Sequence, residues 1–163
     1  MRVPILTTAR LTLQPFAAED LDALHALWTD PHVRRYLWDD IVISRERTAE
    51  TLAATLDGIG YWTLRQEPGG PAIGDCGFQL MDGSGEIELF YCLLPRFWGM
   101  GLAYEACQAA LDYLWSATGY RRVFARADIP NENSIRLMRR LGMSFVSDGG
   151  SLATYLLARP QDR

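Results

Sequence analysis

Two glycines, Gly99 and Gly101, follow Arg96 and lie just before an alanine-rich segment, and this arrangement can bind an anion. Glycine adopts backbone angles that other residues avoid, and the missing Cβ lets a phosphate approach the chain closely. The first N–H groups of a following helix have no intrahelical partner, and the helix dipole adds partial positive charge there. The spacing alone fits a phosphate-binding turn and a purely structural turn equally well.

Acidic and sulfur-containing side chains come just before this turn. Glu86 and Glu88 fall two residues apart in a strand-like segment, so they share one face. Phe90 and Cys92 continue that face. A carboxylate beside a reacting amine can act as a general base, although either glutamate can instead belong to a solvated strand face. Because no histidine lies near Cys92 in the sequence, we interpret it as a small buried hydrophobic residue rather than an acyl carrier.

The composition excludes several kinds of chemistry. All 16 basic residues are arginines, which removes Walker-type phosphate loops and Schiff-base lysines. Two histidines and three dispersed cysteines fit neither a metal centre nor a disulfide framework. A net charge of −4 gives no attraction to nucleic acid, and no apolar segment approaches the roughly 20 residues that cross a bilayer. Without a recognisable signal peptide, we expect a cytoplasmic protein with no metal, nucleic-acid or membrane partner.

Hydrophobic periodicity predicts one domain over residues 1–163, of the α/β (α+β) class. We expect a mixed, mostly antiparallel sheet of about seven strands flanked by about four helices. Capping and stop signals predict helices that begin near Glu19, at Ser44, at Leu102 and at Ser134. The predicted strands, complete or partial, are 11–13, 61–65, 73–81, 86–93, 122–127, 144–146 and 152–157.

Several short motifs occur in a characteristic order. The turn reads R-x-x-G-x-G at 96–101, with E-L-x-Y before it at 88–91 and A-x-E-A after it at 103–106. T-x-R-L-x-L lies at 8–13, and N-x-x-S-x-R at 131–136 is followed by a glycine and an apolar residue. Together these motifs resemble the GNAT acetyltransferase superfamily, and within it the branch of ribosomal-protein N-terminal acetyltransferases. The resemblance spans roughly residues 7–157 and implies the GNAT fold.

The resemblance implies that acetyl-CoA is the co-substrate and that the turn holds its diphosphate through backbone groups. The main chain at the end of the preceding strand would pair with the pantetheine amides. For Asn131, a contact with the CoA arm and a helix N-cap are equally compatible with the motif. The implied CoA-binding residues are Leu93, Leu94, Arg96, Phe97, Trp98, Gly99, Met100, Gly101, Leu102, Ala103 and Asn131.

The resemblance also implies an amine acceptor and a set of catalytic roles. Glu88 is the candidate base, directly or through water, and Ser134 is the candidate acid for the departing thiolate. Tyr91 is an alternative acid, but alternation along the strand predicts that it faces the side of the sheet opposite to Glu88. Met138 stands where another GNAT branch has a tyrosine acid. Tyr36 and Trp38 are candidate acceptor contacts, because aromatic rings attract cations, although aromatic residues between helices more often serve packing. The acceptor is a small-molecule amine or a protein N-terminus, and a homodimer is open because many relatives dimerise.

Two other functions fit parts of the sequence. A GNAT-like domain can bind acyl-CoA as a sensor without turnover, against which the intact turn and Glu88 argue. Gly99 and Gly101 can also begin the G-x-G-x-x-G fingerprint of a dinucleotide-dependent oxidoreductase, but its third glycine position is Tyr104. The segment before the turn also carries two glutamates instead of a continuous apolar run.

Overall fold

A computed structural model describes residues 3–56, 58–81 and 83–160. Among these residues one eight-stranded sheet has the order β1-β2-β3-β4-β5-β6-β8-β7. Every neighbouring pair is antiparallel except β5 and β6, which are parallel, so the prediction of a mixed, mostly antiparallel sheet is confirmed. The strands are β1 Leu6–Thr7, β2 Thr12–Pro15, β3 Gly60–Arg65, β4 Gly74–Leu80, β5 Ile87–Leu93, β6 Arg122–Asp128, β7 Ser144–Asp148 and β8 Leu152–Ala158.

The sheet has one strand more than the seven expected. The additional strand, β1, contains two residues that pair with Leu13 and Thr12 of β2. Two residues cannot display the alternation that identifies a strand in a sequence, so only the pairing reveals it. β7 and β8 pair across the turn at 149–151, as expected.

Four α-helices lie among the described residues, and their number agrees with the prediction. They are α1 Leu21–Thr29, α2 Arg45–Thr55, α3 Leu102–Ala117 and α4 Glu132–Arg140. Ser44 caps α2 by accepting a hydrogen bond from the Arg47 N–H at 3.1 Å, as the sequence indicated. The acidic residues expected to begin α1 form a short 3-10 turn, Ala18–Asp20, directly before it.

Successive residues of each strand supply two hydrophobic cores on opposite faces of the sheet. On one face, Trp62 and Phe78 pack with α3 and α4. Small residues on α3, including Ala106 and Ala110, are fully buried and allow the helix to lie close to the sheet. On the other face, Tyr61 and Phe90 pack with α1 and α2. Each face of the sheet is therefore covered by a pair of helices.

No helix within the described ranges is long and apolar enough to cross a membrane.

Candidate active site

The turn before α3 has the geometry of an anion-binding loop. Residues Pro95–Phe97 form one 3-10 turn, and Gly99 and Gly101 then adopt φ values of 74° and 77°. These left-handed conformations strain any residue with a Cβ, which explains both glycines. Gly101 is the N-cap of α3 and has no side chain with which to satisfy the first N–H groups of the helix. Those N–H groups can therefore donate to a bound anion.

An N-terminal brace, formed by Thr8 and Arg10, holds this turn against α3. Arg10 donates from Nη1 to the Met100 carbonyl at 2.8 Å and from Nε to Glu105 Oε2 at 2.7 Å. The backbone N–H of Arg10 and the hydroxyl of Thr8 both donate to Glu105 Oε1, at 2.8 and 2.6 Å. Burial alone would raise the pKa of Glu105, but the hydrogen bonds from Thr8 and Arg10 outweigh it and lower that pKa.

Both halves of this brace lie in family motifs that the sequence alone does not connect. Thr8 and Arg10 belong to the T-x-R-L-x-L motif, and Glu105 belongs to A-x-E-A. The two motifs lie 95 residues apart at Arg10 and Glu105, so no local pattern links them. Their contact gives each motif a physical reason, because one carries the cation and the other the carboxylate.

A cavity of about 750 Å³ extends from this turn between β5 and β6. Only Glu88 and Phe124 pair between these parallel strands in the described part of the chain, and beyond that pair the strands line the cavity. Its volume lies in the upper range of ligand pockets. The sequence-predicted site residues that line it are Tyr36, Glu88, Leu93, Phe97, Trp98, Gly99, Gly101, Leu102, Ala103, Asn131 and Ser134.

Three predicted residues lie outside the cavity lining. The N–H of Leu94 donates to the carbonyl of Ile73 at 2.9 Å, in the continuation of the sheet. Arg96 is exposed, with its guanidinium carbon 4.9 Å from the centre of the Phe97 ring. Met100 is exposed, and its carbonyl accepts the hydrogen bond from the N-terminal brace. The prediction for Trp38 concerns a side chain that lies outside the described part of the structure.

Glu88 is buried at the inner end of the cavity, with only 7% of its surface exposed. Arg126 of β6 donates from Nε to Glu88 Oε1 at 2.9 Å and from Nη2 to Oε2 at 2.7 Å. Gln79 Nε2 adds a third hydrogen bond at 3.2 Å. The alternative that Glu88 belongs to a solvated strand face is therefore wrong, because the adjacent strands cover it.

Sequence reasoning did not identify Arg126, because the register between β5 and β6 cannot be read from either strand. The second glutamate of the pattern, Glu86, precedes β5 and forms an ion pair with Arg122, also on β6. Both glutamates therefore have an arginine partner on the same strand. Only Glu88 lines the cavity.

Tyr91 and Ser134 form a hydroxyl pair on the opposite side of β5. Their oxygens lie 2.6 Å apart, and the Tyr91 hydroxyl also donates to the Ser134 carbonyl at 3.3 Å. Tyr91 packs against the core beneath α3 and α4, as expected from alternation with Glu88. Burial raises the pKa of Tyr91, so its hydroxyl keeps its proton at neutral pH. Either hydroxyl can be the donor in the Tyr91–Ser134 pair.

Asn131 occupies the N-cap position of α4. Its side-chain oxygen accepts a hydrogen bond from the Ser134 N–H at 3.3 Å. The residue also lines the cavity. Of the two roles considered for Asn131, the structure contains the capping role, and the amide nitrogen can still donate to a ligand.

The carbonyl of Leu93 accepts a hydrogen bond from Trp98 Nε1 at 2.7 Å. Trp98 is 45% exposed and forms part of the cavity wall. The side chain thus lies across the end of β5, where main-chain pairing with a ligand was predicted. A carbonyl oxygen has two lone pairs, so the bond from the indole N–H leaves it one acceptor site.

Cys92 is half-buried and lines the cavity, and its thiol pairs with the fully buried carboxylate of Asp75. Cys92 Sγ donates to Asp75 Oδ1 at 2.9 Å, and Trp28 Nε1 donates to Asp75 Oδ2 at 2.7 Å. Complete burial raises the pKa of Asp75 to about 6, despite the lowering effect of both hydrogen bonds. Burial, followed by the Asp75 charge, raises the pKa of the Cys92 thiol. A thiol of raised pKa is a poor nucleophile, which argues against Cys92 as an acyl carrier. The residue is nevertheless half-buried at the cavity, where the sequence predicted a buried one.

Among the described residues, no group of three or more His, Cys, Asp or Glu side chains could hold a metal ion.

The comparison with known protein families decides which kind of protein this geometry serves. The family model for the acetyltransferase (GNAT) domain matches residues 10–144, which include the whole turn and α4. The chain belongs to the GNAT acetyltransferase family. The chain is an N-acetyltransferase by family.

Relatives and solved structures agree with this assignment. An uncharacterized GNAT relative, N-acetyltransferase p20 of Bacillus licheniformis, is 32% identical over 150 residues, covering 88% of this chain and 83% of the relative. The fold is similar to RimL, a ribosomal L7/L12 alpha-N-protein acetyltransferase in complex with CoA, with TM-score 0.81, 17% identity and coverage of 95% and 98% of the two chains. It is also similar to spermidine N-acetyltransferase from Vibrio cholerae, in complex with CoA and spermine, with TM-score 0.78, 16% identity and coverage of 93% and 97%.

GNAT enzymes use acetyl-CoA, and the cavity fits such a ligand. The diphosphate of acetyl-CoA requires hydrogen-bond donors without competing carboxylates, and the uncapped N-terminus of α3 supplies such donors. A Cβ built at Gly99 would meet no atom within 4 Å, so the space beside the turn is open to a ligand. Although β5, α3 and β6 form a single βαβ unit, the family match favours the acyl-CoA interpretation over dinucleotide binding.

Proposed function

We propose that this enzyme transfers an acetyl group from acetyl-CoA to a primary amine, either on a small molecule or at a peptide N-terminus. One observation carries the proposal: a single cavity contains both an anion-binding turn at the start of α3 and a buried carboxylate, Glu88. The turn suits the diphosphate of the donor, and the carboxylate suits a cationic acceptor. Because the turn and Glu88 line the same cavity, the donor and the acceptor can bind next to each other.

Acetyl-CoA supplies an activated acyl thioester. The protein must supply a neutral amine, because an alkyl amine with a pKa near 10.4 is mostly protonated at pH 7. An ionised carboxylate has about four acceptor sites, so bonds from Arg126 and Gln79 leave Glu88 capacity for a further donor. We assign to Glu88 the binding of the acceptor ammonium and the acceptance of its proton, directly or through water.

Ser134 is the proposed acid for the leaving group. Its hydroxyl can donate to a departing thiolate while it accepts a hydrogen bond from Tyr91, since a hydroxyl has one proton and two lone pairs. When Tyr91 donates to Ser134, the bond polarises the Ser134 hydroxyl and makes it a stronger donor to the thiolate. Backbone N–H groups where β5 leaves the sheet are the proposed donors to the negative charge that develops on the acyl oxygen.

The acceptor entrance is the proposed role of the segment after α1. Tyr36 lines the cavity from the 3-10 turn Arg34–Tyr36, and Val33 and Leu37 add apolar surface. Glu88 is the only carboxylate among the described residues of the lining, so its negative charge is the one that would attract a cationic acceptor into the cavity. One structural neighbour is named a spermidine N-acetyltransferase and another a ribosomal L7/L12 alpha-N-protein acetyltransferase, and these names correspond to the two proposed classes of acceptor.

Thermal unfolding with acetyl-CoA, NADH and ATP, each tested separately, examines the donor half of the proposal. At a concentration 100 times its dissociation constant, a ligand of the folded state stabilises it by about 2.7 kcal/mol. For a chain of this size that corresponds to a rise in Tm of about 5 to 10 °C. We expect this rise with acetyl-CoA alone. A larger rise with NADH, or none with any CoA ester, would contradict the proposal.

A further inference from the structure

The end of the cavity beside α4 contains two arginines. Arg136 and Arg140 line it from α4, one helical turn apart, and Tyr104 lines it from α3. No ion pair involving either arginine occurs within the described ranges. Because Glu88 is the only carboxylate of the described lining, this end of the cavity is cationic.

Contacts within the protein orient both guanidinium groups. The guanidinium carbon of Arg140 lies 4.1 Å from the centre of the Tyr104 ring, which is a stacking contact. The Tyr104 hydroxyl accepts a hydrogen bond from Gln108 Nε2 at 2.7 Å, which fixes the ring in turn. Arg136 Nη2 donates to Asn133 Oδ1 at 2.7 Å. A guanidinium has five N–H donors, so one such bond leaves most of them for a ligand.

The position of this arginine pair relative to the turn suggests its ligand. Tyr104 is three residues after Gly101, about 4.5 Å along the axis of α3 at 1.5 Å per residue. Arg140 therefore stacks beside the first turn of the helix whose N-terminus suits the donor diphosphate. In CoA the ribose next to the diphosphate carries a second phosphate, a monoester at its 3′ position. Planar guanidinium groups bind such a phosphate through paired hydrogen bonds.

We propose that Arg136 and Arg140 bind the 3′-phosphate of acetyl-CoA, with Tyr104 holding Arg140 in place. This inference rests on the proposed function, because it assigns a second anionic group of the same donor. It makes the arginine pair selective for CoA over CoA lacking that phosphate. The turn at Gly99 and Gly101 would bind both donors equally through the diphosphate.

The experiment compares the dissociation constants of acetyl-CoA and 3′-dephospho-acetyl-CoA by isothermal titration calorimetry. We expect the wild-type chain to bind acetyl-CoA at least about tenfold more tightly, since hydrogen bonds to charged groups contribute 1.5 kcal/mol or more. Arg140→Gln and Arg136→Gln should each weaken acetyl-CoA binding several-fold and leave the dephospho ligand unchanged. Arg139→Gln is the matched control: it removes the same charge from the adjacent residue, which contacts Tyr155 instead.

The outcomes separate this inference from the proposed function. Equal wild-type binding of both donors, or equal weakening of both by Arg140→Gln and Arg136→Gln, overturns the 3′-phosphate site and leaves the proposed function intact. Loss of selectivity in Arg139→Gln also overturns it, because the effect would then follow net charge. Failure of the wild-type chain to bind either donor overturns the proposed function, and the phosphate site with it.

Discussion

The N-terminal brace should control the affinity for the donor without taking part in the reaction. Arg10→Ala removes the hydrogen bond to the Met100 carbonyl and one ion pair with Glu105. The side chains of that ion pair are 50% and 18% exposed, so the pair contributes up to about 1 kcal/mol. The bond to the Met100 carbonyl adds about 1 kcal/mol. Thr8 and the Arg10 backbone still donate to Glu105, so no buried acceptor loses all its partners.

A loss of about 1 to 2 kcal/mol lets the turn at Gly99 and Gly101 leave its binding geometry. If all of that free energy were expressed in binding, the KM for acetyl-CoA would rise about 5- to 30-fold. The kcat and the KM for the amine should not change, because Arg10 lies outside the cavity lining. Steady-state kinetics with each substrate varied in turn, together with urea unfolding, measures both effects.

Arg45→Ala is the matched control for this prediction. It removes an ion pair of the same length, 2.7 Å to Asp22, between exposed side chains of α2 and α1. Its free energy of unfolding should fall by less than about 1 kcal/mol, and its KM for acetyl-CoA should stay constant. If Arg10→Ala loses stability while its KM for acetyl-CoA matches the wild type, the brace serves the fold alone and the reasoning is refuted.

Three further predictions follow from the same geometry. Glu88→Gln should lower kcat about 10²- to 10⁴-fold, because it removes the proposed base. The control Glu86→Gln breaks a comparable ion pair outside the cavity and should leave kcat within about twofold of the wild type. Equal kcat values for Glu88→Gln and the wild type would remove the carboxylate from the mechanism. Gly99→Ala and Gly69→Ala both place a Cβ at φ near +70° with open space around it, so each should cost about 1 to 2 kcal/mol of stability, but only Gly99→Ala should weaken acetyl-CoA binding in calorimetry. Burial raises the pKa of Asp75 from an ordinary 3.8 to about 6, so the folded state binds this proton more tightly than the unfolded state does. Relative to Asp75→Asn, the wild-type chain should be most stable below about pH 4, lose about 3 kcal/mol as the pH rises to about 6, and then level off. A constant difference between the two free energies of urea unfolding across that pH range would contradict the burial argument.

The sequence identified most elements because their patterns are local. Helical spacing of small residues predicts α3, and alternation predicts that Glu88 and Tyr91 face opposite sides of β5. The two-residue strand β1 has no pattern of its own and is defined by its partner, β2. Local patterns therefore determine the elements, and pairing determines the shortest strand.

The partners of the site residues could not be read in the same way. Arg126 lies 38 residues after Glu88 and meets it only because β5 and β6 are parallel neighbours. Alternation assigns Glu88 to a face, but burial of that face depends on what packs over it. For Leu94, Arg96 and Met100, matching a motif position did not bring the side chain to the cavity, since backbone groups define that motif.

Turnover with a panel of amines and peptides tests the central claim most directly. The chain is incubated with acetyl-CoA and each acceptor, free CoA thiol is followed by a thiol reagent, and the acetylated product is identified by mass spectrometry. We expect acceptor-dependent thiol release by the wild-type chain, with the acetyl group on the amine nitrogen and a loss of this activity in Glu88→Gln. Tight binding of acetyl-CoA without thiol release for any amine would contradict it and would indicate a sensor of acyl-CoA instead.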